Sequence, residues 1–187
     1  MQKKKHSGTT FNIAFCGIVS ALSVMVMFIA LVPSFAYAMP AVAGIFIWVI
    51  SEQIGKKWAF LSYVAVALLS FMLIPEIEAD FFFLSFFGYY PTLRFCLDKI
   101  KNKIVRFLVK LGIFNAAIIV TYQILCIILS AEEMLEGLED FGAYAIYILW
   151  GTGNIAFLLY DFFLGYMREI YVKFIKPRVA KIINRNM

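Results

Sequence analysis

Six long apolar stretches divide this chain, and the charged residues between them sort by sign. Lys3, Lys4 and Lys5 precede the first stretch, and Lys56 and Lys57 separate the second from the third. Arg94, Lys99, Lys101, Lys103, Arg106 and Lys110 lie between the fourth and fifth; Arg168, Lys173, Lys176, Arg178, Lys181 and Arg185 follow the sixth. The alternate connections hold Glu76, Glu78 and Asp80, then Glu132, Glu133, Glu136, Glu139 and Asp140, with no base among them. All 17 lysines and arginines can therefore be placed on one side of a membrane. Basic loops stay in the cytoplasm during insertion, so this pattern predicts an all-α, multi-pass protein of the plasma membrane with cytoplasmic N- and C-termini. A soluble fold has no physical reason to sort its charges this way.

Length leads to the same architecture by an independent route. About 20 apolar residues in a helix cross a hydrocarbon core of about 30 Å. The sequence predicts six transmembrane helices over residues 11–32, 35–54, 58–74, 79–96, 107–129 and 141–167, with a basic cytoplasmic tail over 168–187, as a single integral domain over 1–187. Proline sets several boundaries because it lacks a backbone donor and restricts the residue before it. Pro33 ends the first helix, Pro75 ends the third, Pro40 sits in the first turns of the second, and Pro177 interrupts the tail. Pro91, within the fourth helix, predicts a kink near Phe87. An amphipathic helix or turn is expected over 98–110 and a short external helix over 131–140. Ala36-Tyr37-Ala38 imitates a signal-peptidase site, but the preceding run of about 22 residues exceeds the 7–15 of a signal h-region, so a retained helix is expected.

Composition excludes several classes of function. The chain is 63% hydrophobic and 16% charged, against about half apolar and about a quarter charged in ordinary globular domains. The net charge of +5 is accounted for by topology, so no nucleic-acid partner is expected. Cys16, Cys96 and Cys126 fall in or beside apolar runs with no CxxC pair, and His6 is the only histidine. That set predicts no metal, haem or other cofactor. No phosphate-binding G-x-x-x-x-G-K-[ST] loop, G-x-S-x-G or H-E-x-x-H motif occurs, so the chain is not expected to be an enzyme.

Three groups of residues remain as candidates for function. Ala14, Gly17, Ser20 and Ala21 recur at three- and four-residue spacing on one face of the first helix. Gly17-x-x-x-Ala21 lets another helix approach closely, whether that helix belongs to this chain or to another protein. Asp161 lies about 10 Å inside the inner leaflet by helical rise, and Arg94 on the fourth helix sits at a similar depth. A carboxylate at that depth is costly alone, so an Asp161–Arg94 pair is expected, acting as a coupling element or as a structural lock. Tyr89, Tyr90, Tyr122, Gln123, Trp150 and Asn154, with Asn115 and Thr152, form a third group at intramembrane depth. They would either line a small-molecule cavity or bond helices to one another.

This combination of six helices, cytoplasmic termini, a basic tail and small residues on the first helix resembles the substrate-binding S component of energy-coupling factor (ECF) vitamin transporters. The resemblance covers nearly the whole chain as architecture. The family's first-helix signature is Ala-x-x-x-Ala; the matching positions are Gly17 and Ala21, so the first alanine is replaced, and Ala14 has no alanine partner at that spacing because position 18 is Ile18. The resemblance implies a subunit that captures a vitamin-like molecule from outside. The family's ligand residues vary with substrate, so none is carried over; Tyr89, Tyr90, Tyr122, Gln123, Trp150 and Asn154 are candidates from their intramembrane depth alone. It implies that Ala14, Gly17 and Ala21 dock a transmembrane coupling subunit and that two separate ATPases supply energy. The connection over 33–39 would then gate the pocket. An alternative from another class is a membrane scaffold resembling the rod-shape protein MreD, working through helix–helix contacts in the bilayer without a ligand. An intramembrane enzyme is a third reading, disfavoured by the missing catalytic set.

Overall fold

The structure, a computed structural model, describes residues 3–128 and 144–175. Every regular element among the described residues is helical. The chain forms two compact units, Met1–Leu129 and Ser130–Met187. The expected short helix over 131–140 and the tail beyond residue 175 lie outside the described residues.

In the first unit, α1 (Lys3–Phe28), α2 (Ala38–Gln53) and α3 (Lys56–Leu73) pack against one another. A broken segment follows: α4 (Ile77–Phe82), a π-helical turn (Phe83–Phe87) and α5 (Tyr90–Leu97). Helix α6 (Lys103–Ile128) returns along it and contacts all three pieces. In the second unit, α7 (Ala145–Ile170) continues into a π turn (Tyr171–Ile175).

Among the described residues, four helices are long and apolar enough to cross a membrane: Gly8–Leu31, Lys56–Leu73, Lys103–Ile128 and Ala145–Lys173. Their outer surfaces are apolar, with Met72 82%, Ile127 84% and Phe162 78% exposed. Side chains of that size left bare over whole helices fit a hydrocarbon surrounding and not water. Helix α2 is apolar but has only 16 residues, about 24 Å at 1.5 Å per residue. It is shorter than the 35–54 read from the sequence because 3-10 turns at Ile29–Leu31 and Pro33–Phe35 take up the proline-containing connection.

The core of the first unit is built from stripes. Helix α1 turns Cys16, Val19, Ser23 and Met27 inward at three- and four-residue steps, and Ala30 in the 3-10 turn that follows continues the stripe. They meet Ala43, Ile47 and Ile50 of α2, with Ala59 and Val66 of α3 in the same cluster. The buried Ser23 hydroxyl donates to the Ala43 carbonyl at 3.0 Å, a bond worth roughly 0.6 kcal/mol between apolar helices. Gly55 makes the tight turn between α2 and α3 and has φ +128°, a conformation that suits glycine.

The break in the fourth hydrophobic segment has an identifiable cause. Pro91 has no N–H to give the Phe87 carbonyl four residues earlier. Just before it the chain winds into a π turn, with the Gly88 N–H bonding the Phe83 carbonyl at 2.8 Å. Pro91 then falls in the first turn of α5, where its missing donor costs least. The Phe87 carbonyl lies directly against Gly44 of α2: a Cβ there would come within 2.9 Å of the Phe87 carbonyl carbon and closer still to its oxygen. From the other side, Tyr63 of α3 donates its hydroxyl to the Leu84 carbonyl at 2.6 Å. The sequence-based kink near Phe87 thus becomes a full interruption over residues 88–89, clasped by two neighbouring helices.

Candidate functional site

The small-residue row on α1 points outward. Ala14, Gly17 and Ala21 are exposed, and a Cβ at Gly17 would meet nothing within 4 Å. At 3.6 residues per turn the row lies about 150° round the helix from the inward stripe. Large apolar neighbours, Ile18 and Met25, each 64% exposed, stand beside it. The result is a shallow strip where another helix can approach the backbone of α1 closely.

The residues proposed to touch a ligand divide between the two units. In the first, Tyr90 is fully buried and stacks on Phe86 at 4.4 Å, while Phe114 of α6 presents its edge to the same ring at 5.2 Å. Tyr89 is half-buried and packs edge-on to Tyr63 at 6.1 Å. Tyr122 bonds Cys126 one turn away on α6, and Gln123 is exposed. The Asn115 amide donates to the Leu111 carbonyl of its own helix at 2.9 Å. In the second unit, Asn154 donates to the Trp150 carbonyl at 2.9 Å and Thr152 to the Ile148 carbonyl at 2.9 Å, and Trp150 is half exposed. Such bonds back to the preceding turn satisfy polar groups inside an apolar helix without calling on a neighbour.

Arg94 is buried and reaches Asp98 on its own helix at 3.1 Å. Lys110 of α6 meets the other carboxylate oxygen at 2.8 Å. Arg106 donates to the Asp98 backbone carbonyl at 3.3 Å, so one residue ties the end of α5 to the start of α6. Lys56 donates to the Cys96 sulfur at 2.7 Å and brings the start of α3 to the same end. Asp98 is the one acid between Arg94 and Lys110 and lies four residues from the arginine, a helical spacing visible in the sequence. Asp161, the acid expected to pair with Arg94, is half-buried on α7 in the second unit.

The opposite, acidic end carries a second set of contacts that sequence reasoning did not find. Tyr37, in the connection before α2, donates to Glu78 at 2.7 Å and packs edge-on to Phe82 at 5.3 Å. Burial, then the bond to Glu78, holds the Tyr37 hydroxyl above its ordinary range. Burial, then the charge of Glu78, also raises the carboxyl of Glu76. Asp80 is 3% exposed, and its Oδ1 has no hydrogen-bond partner among the described residues. No three acids, cysteines or histidines among the described residues are grouped to hold a metal.

Two surfaces thus stand out: an open small-residue strip along α1 and a connection pinned by Tyr37 to the acidic end. No protein family, no curated protein and no solved structure matches this chain.

Proposed function

We propose that this chain is the substrate-capture subunit of an ECF-type importer in the plasma membrane. It would span the bilayer six times with both ends in the cytoplasm, take up a vitamin-like molecule from outside, and rely on a coupling subunit and two ATPases for energy. The observation that supports this reading is the exposure of Ala14, Gly17 and Ala21 on α1. Apolar helices in lipid gain nothing from hydrophobicity when they associate, so small residues that allow close backbone contact are what a docking face needs. The Tyr37–Glu78 bond supports the gate assigned to the 33–39 connection: it ties that connection to the acidic end, where an incoming solute would arrive. Within the first unit, Tyr89, Tyr122 and Gln123 would supply ligand contacts, with the buried Tyr90 packed on Phe86.

One observation favours the scaffold reading instead. The middle of the first unit is filled by Phe86, Tyr90 and Phe114, as a protein working only through its outer faces requires. Native mass spectrometry of the detergent-purified chain separates the two. A retained small molecule that is lost in Gln123→Ala supports capture. A ligand-free chain that still co-purifies with a membrane partner supports the scaffold.

A further inference from the structure

The cytoplasmic assignment explains why bases collect between α5 and α6, but it does not explain how they are arranged. The side chains of Lys99, Lys101 and Lys103 form no hydrogen bond or ion pair among the described residues. No acid follows Asp98 in the sequence until Glu132, and Asp98 is occupied by Arg94 and Lys110. The start of α6 is fixed: the Asn102 side chain accepts from the Ile104 N–H at 3.0 Å and from the Val105 N–H at 3.4 Å. Arg106 is held in place by its bond to the Asp98 carbonyl. Lys103, Arg106 and Phe107 share one helical face by their three- and four-residue spacing.

Large apolar side chains stand bare within the same turn. Ile104 is 71% exposed, Leu108 57% and Phe107 48%. Unpaired cations and exposed hydrocarbon thus sit within a few residues of one another at a capped helix start. A soluble phosphate would satisfy the cations alone, and a bare acyl chain only the apolar residues. A phospholipid with net negative charge satisfies both.

We propose that the α5–α6 junction is a binding site for an anionic phospholipid. Its phosphate is held by Lys101, Lys103 and Arg106, and its chains lie along Ile104, Phe107 and Leu108. The site does not depend on which protein docks at α1 or on whether a solute is captured.

The test is lipid titration of the full chain in detergent, followed by native mass spectrometry, with phosphatidylglycerol and phosphatidylcholine compared. Phosphatidylglycerol is expected to bind more tightly, and the combined variant K101Q/K103Q/R106Q should lose roughly fivefold in affinity for each charge removed. The matched variant K3Q/K4Q/K5Q removes the same charge from another basic cluster and should leave affinity unchanged. Equal losses in the two triples would overturn the site, because they would show diffuse attraction to positive charge. Equal binding of phosphatidylcholine would also overturn it, and displacement by millimolar inorganic phosphate would show that a free anion is the ligand. If the triple fails to fold, as judged by size-exclusion chromatography and far-ultraviolet circular dichroism, K101Q alone carries the test. Lys101 is exposed in the turn before α6, and its loss should cost roughly fivefold.

Discussion

Two glycines on neighbouring helices face opposite circumstances. Gly44 on α2 lies against the Phe87 carbonyl, and a single added carbon would collide with backbone. Gly17 on α1 faces open space. Both are small residues in apolar helices, and sequence reasoning treats such positions alike, as places where another helix comes near. In the first unit one of those approaches is already filled from within the chain, and the other is vacant. The filled one belongs to the fold, and the open one is the face that the proposed docking would use.

The sharpest way to break this contrast is Gly44→Leu. It drives a side chain into a backbone that cannot yield, and a cost of 3 kcal/mol or more is expected, at or beyond the usual overpacking range. Loss of a monodisperse peak in size-exclusion chromatography would report it; a variant as stable as the parent would remove the claim that α2 clasps the π turn. Asp98→Asn comes next, because it leaves Arg94 and Lys110 without their carboxylate. The cost should be about 2–3 kcal/mol, below the range for fully buried pairs because a quarter of the Asp98 side chain is exposed. Thermal unfolding in detergent measures it, and an unchanged midpoint would demote the junction to a surface contact.

Tyr37→Phe should cost about 1 kcal/mol or less, the worth of one hydrogen bond near the surface. It should also speed proteolysis within the 33–39 connection; identical cleavage rates would argue against a tether. Glu76 tests the same end through pH. Its carboxyl is raised, so the folded state holds that proton more readily than the unfolded chain does. Stability from this group is present at low pH and is lost as pH rises through the folded-state value. Glu76→Gln should therefore flatten a decline in stability above the ordinary carboxylate range; an unaltered pH profile would contradict this. Gly17→Leu has the smallest expected effect on stability, within about 0.5 kcal/mol. Co-purification of a membrane partner should nevertheless disappear. A partner that still co-purifies would move the docking surface away from α1.

Charge sorting and apolar run length made the helical, membrane-suited architecture legible in the sequence, since both are properties of local composition. Helix ends were less legible. The start of α6 at Lys103 instead of 107 depends on the Asn102 cap, and α2 begins late because of the proline-containing turns before it. The outward row at Ala14, Gly17 and Ala21 was visible as a pattern, but its facing was not, because periodicity says which residues share a side and not what covers that side. The contacts that hold the molecule's two ends were hidden for different reasons. Tyr37 and Glu78 are 41 residues apart in sequence, beyond any local rule. Asp98 was close at hand, yet its role needs Lys110 to fold back on it from another helix. The partnership of Gly44 with Pro91 was hidden too, since one proline's missing N–H acts through Phe87 on a residue of a different helix.

The widened coil at Phe83–Phe87 adds one position to the segment before α5. Inserting an i→i+5 bond in place of i→i+4 advances the following side chains by about one residue, roughly 100° around the axis, before the turn at 88–89 resets the direction. Beyond that turn Tyr90 and Arg94 are both buried, the first stacked on Phe86 and the second paired with Asp98. One short stretch of chain thus joins the interior aromatic cluster to the basic junction at the far end of α5, so a change of pitch in the coil has only two residues in which to be taken up before it reaches both.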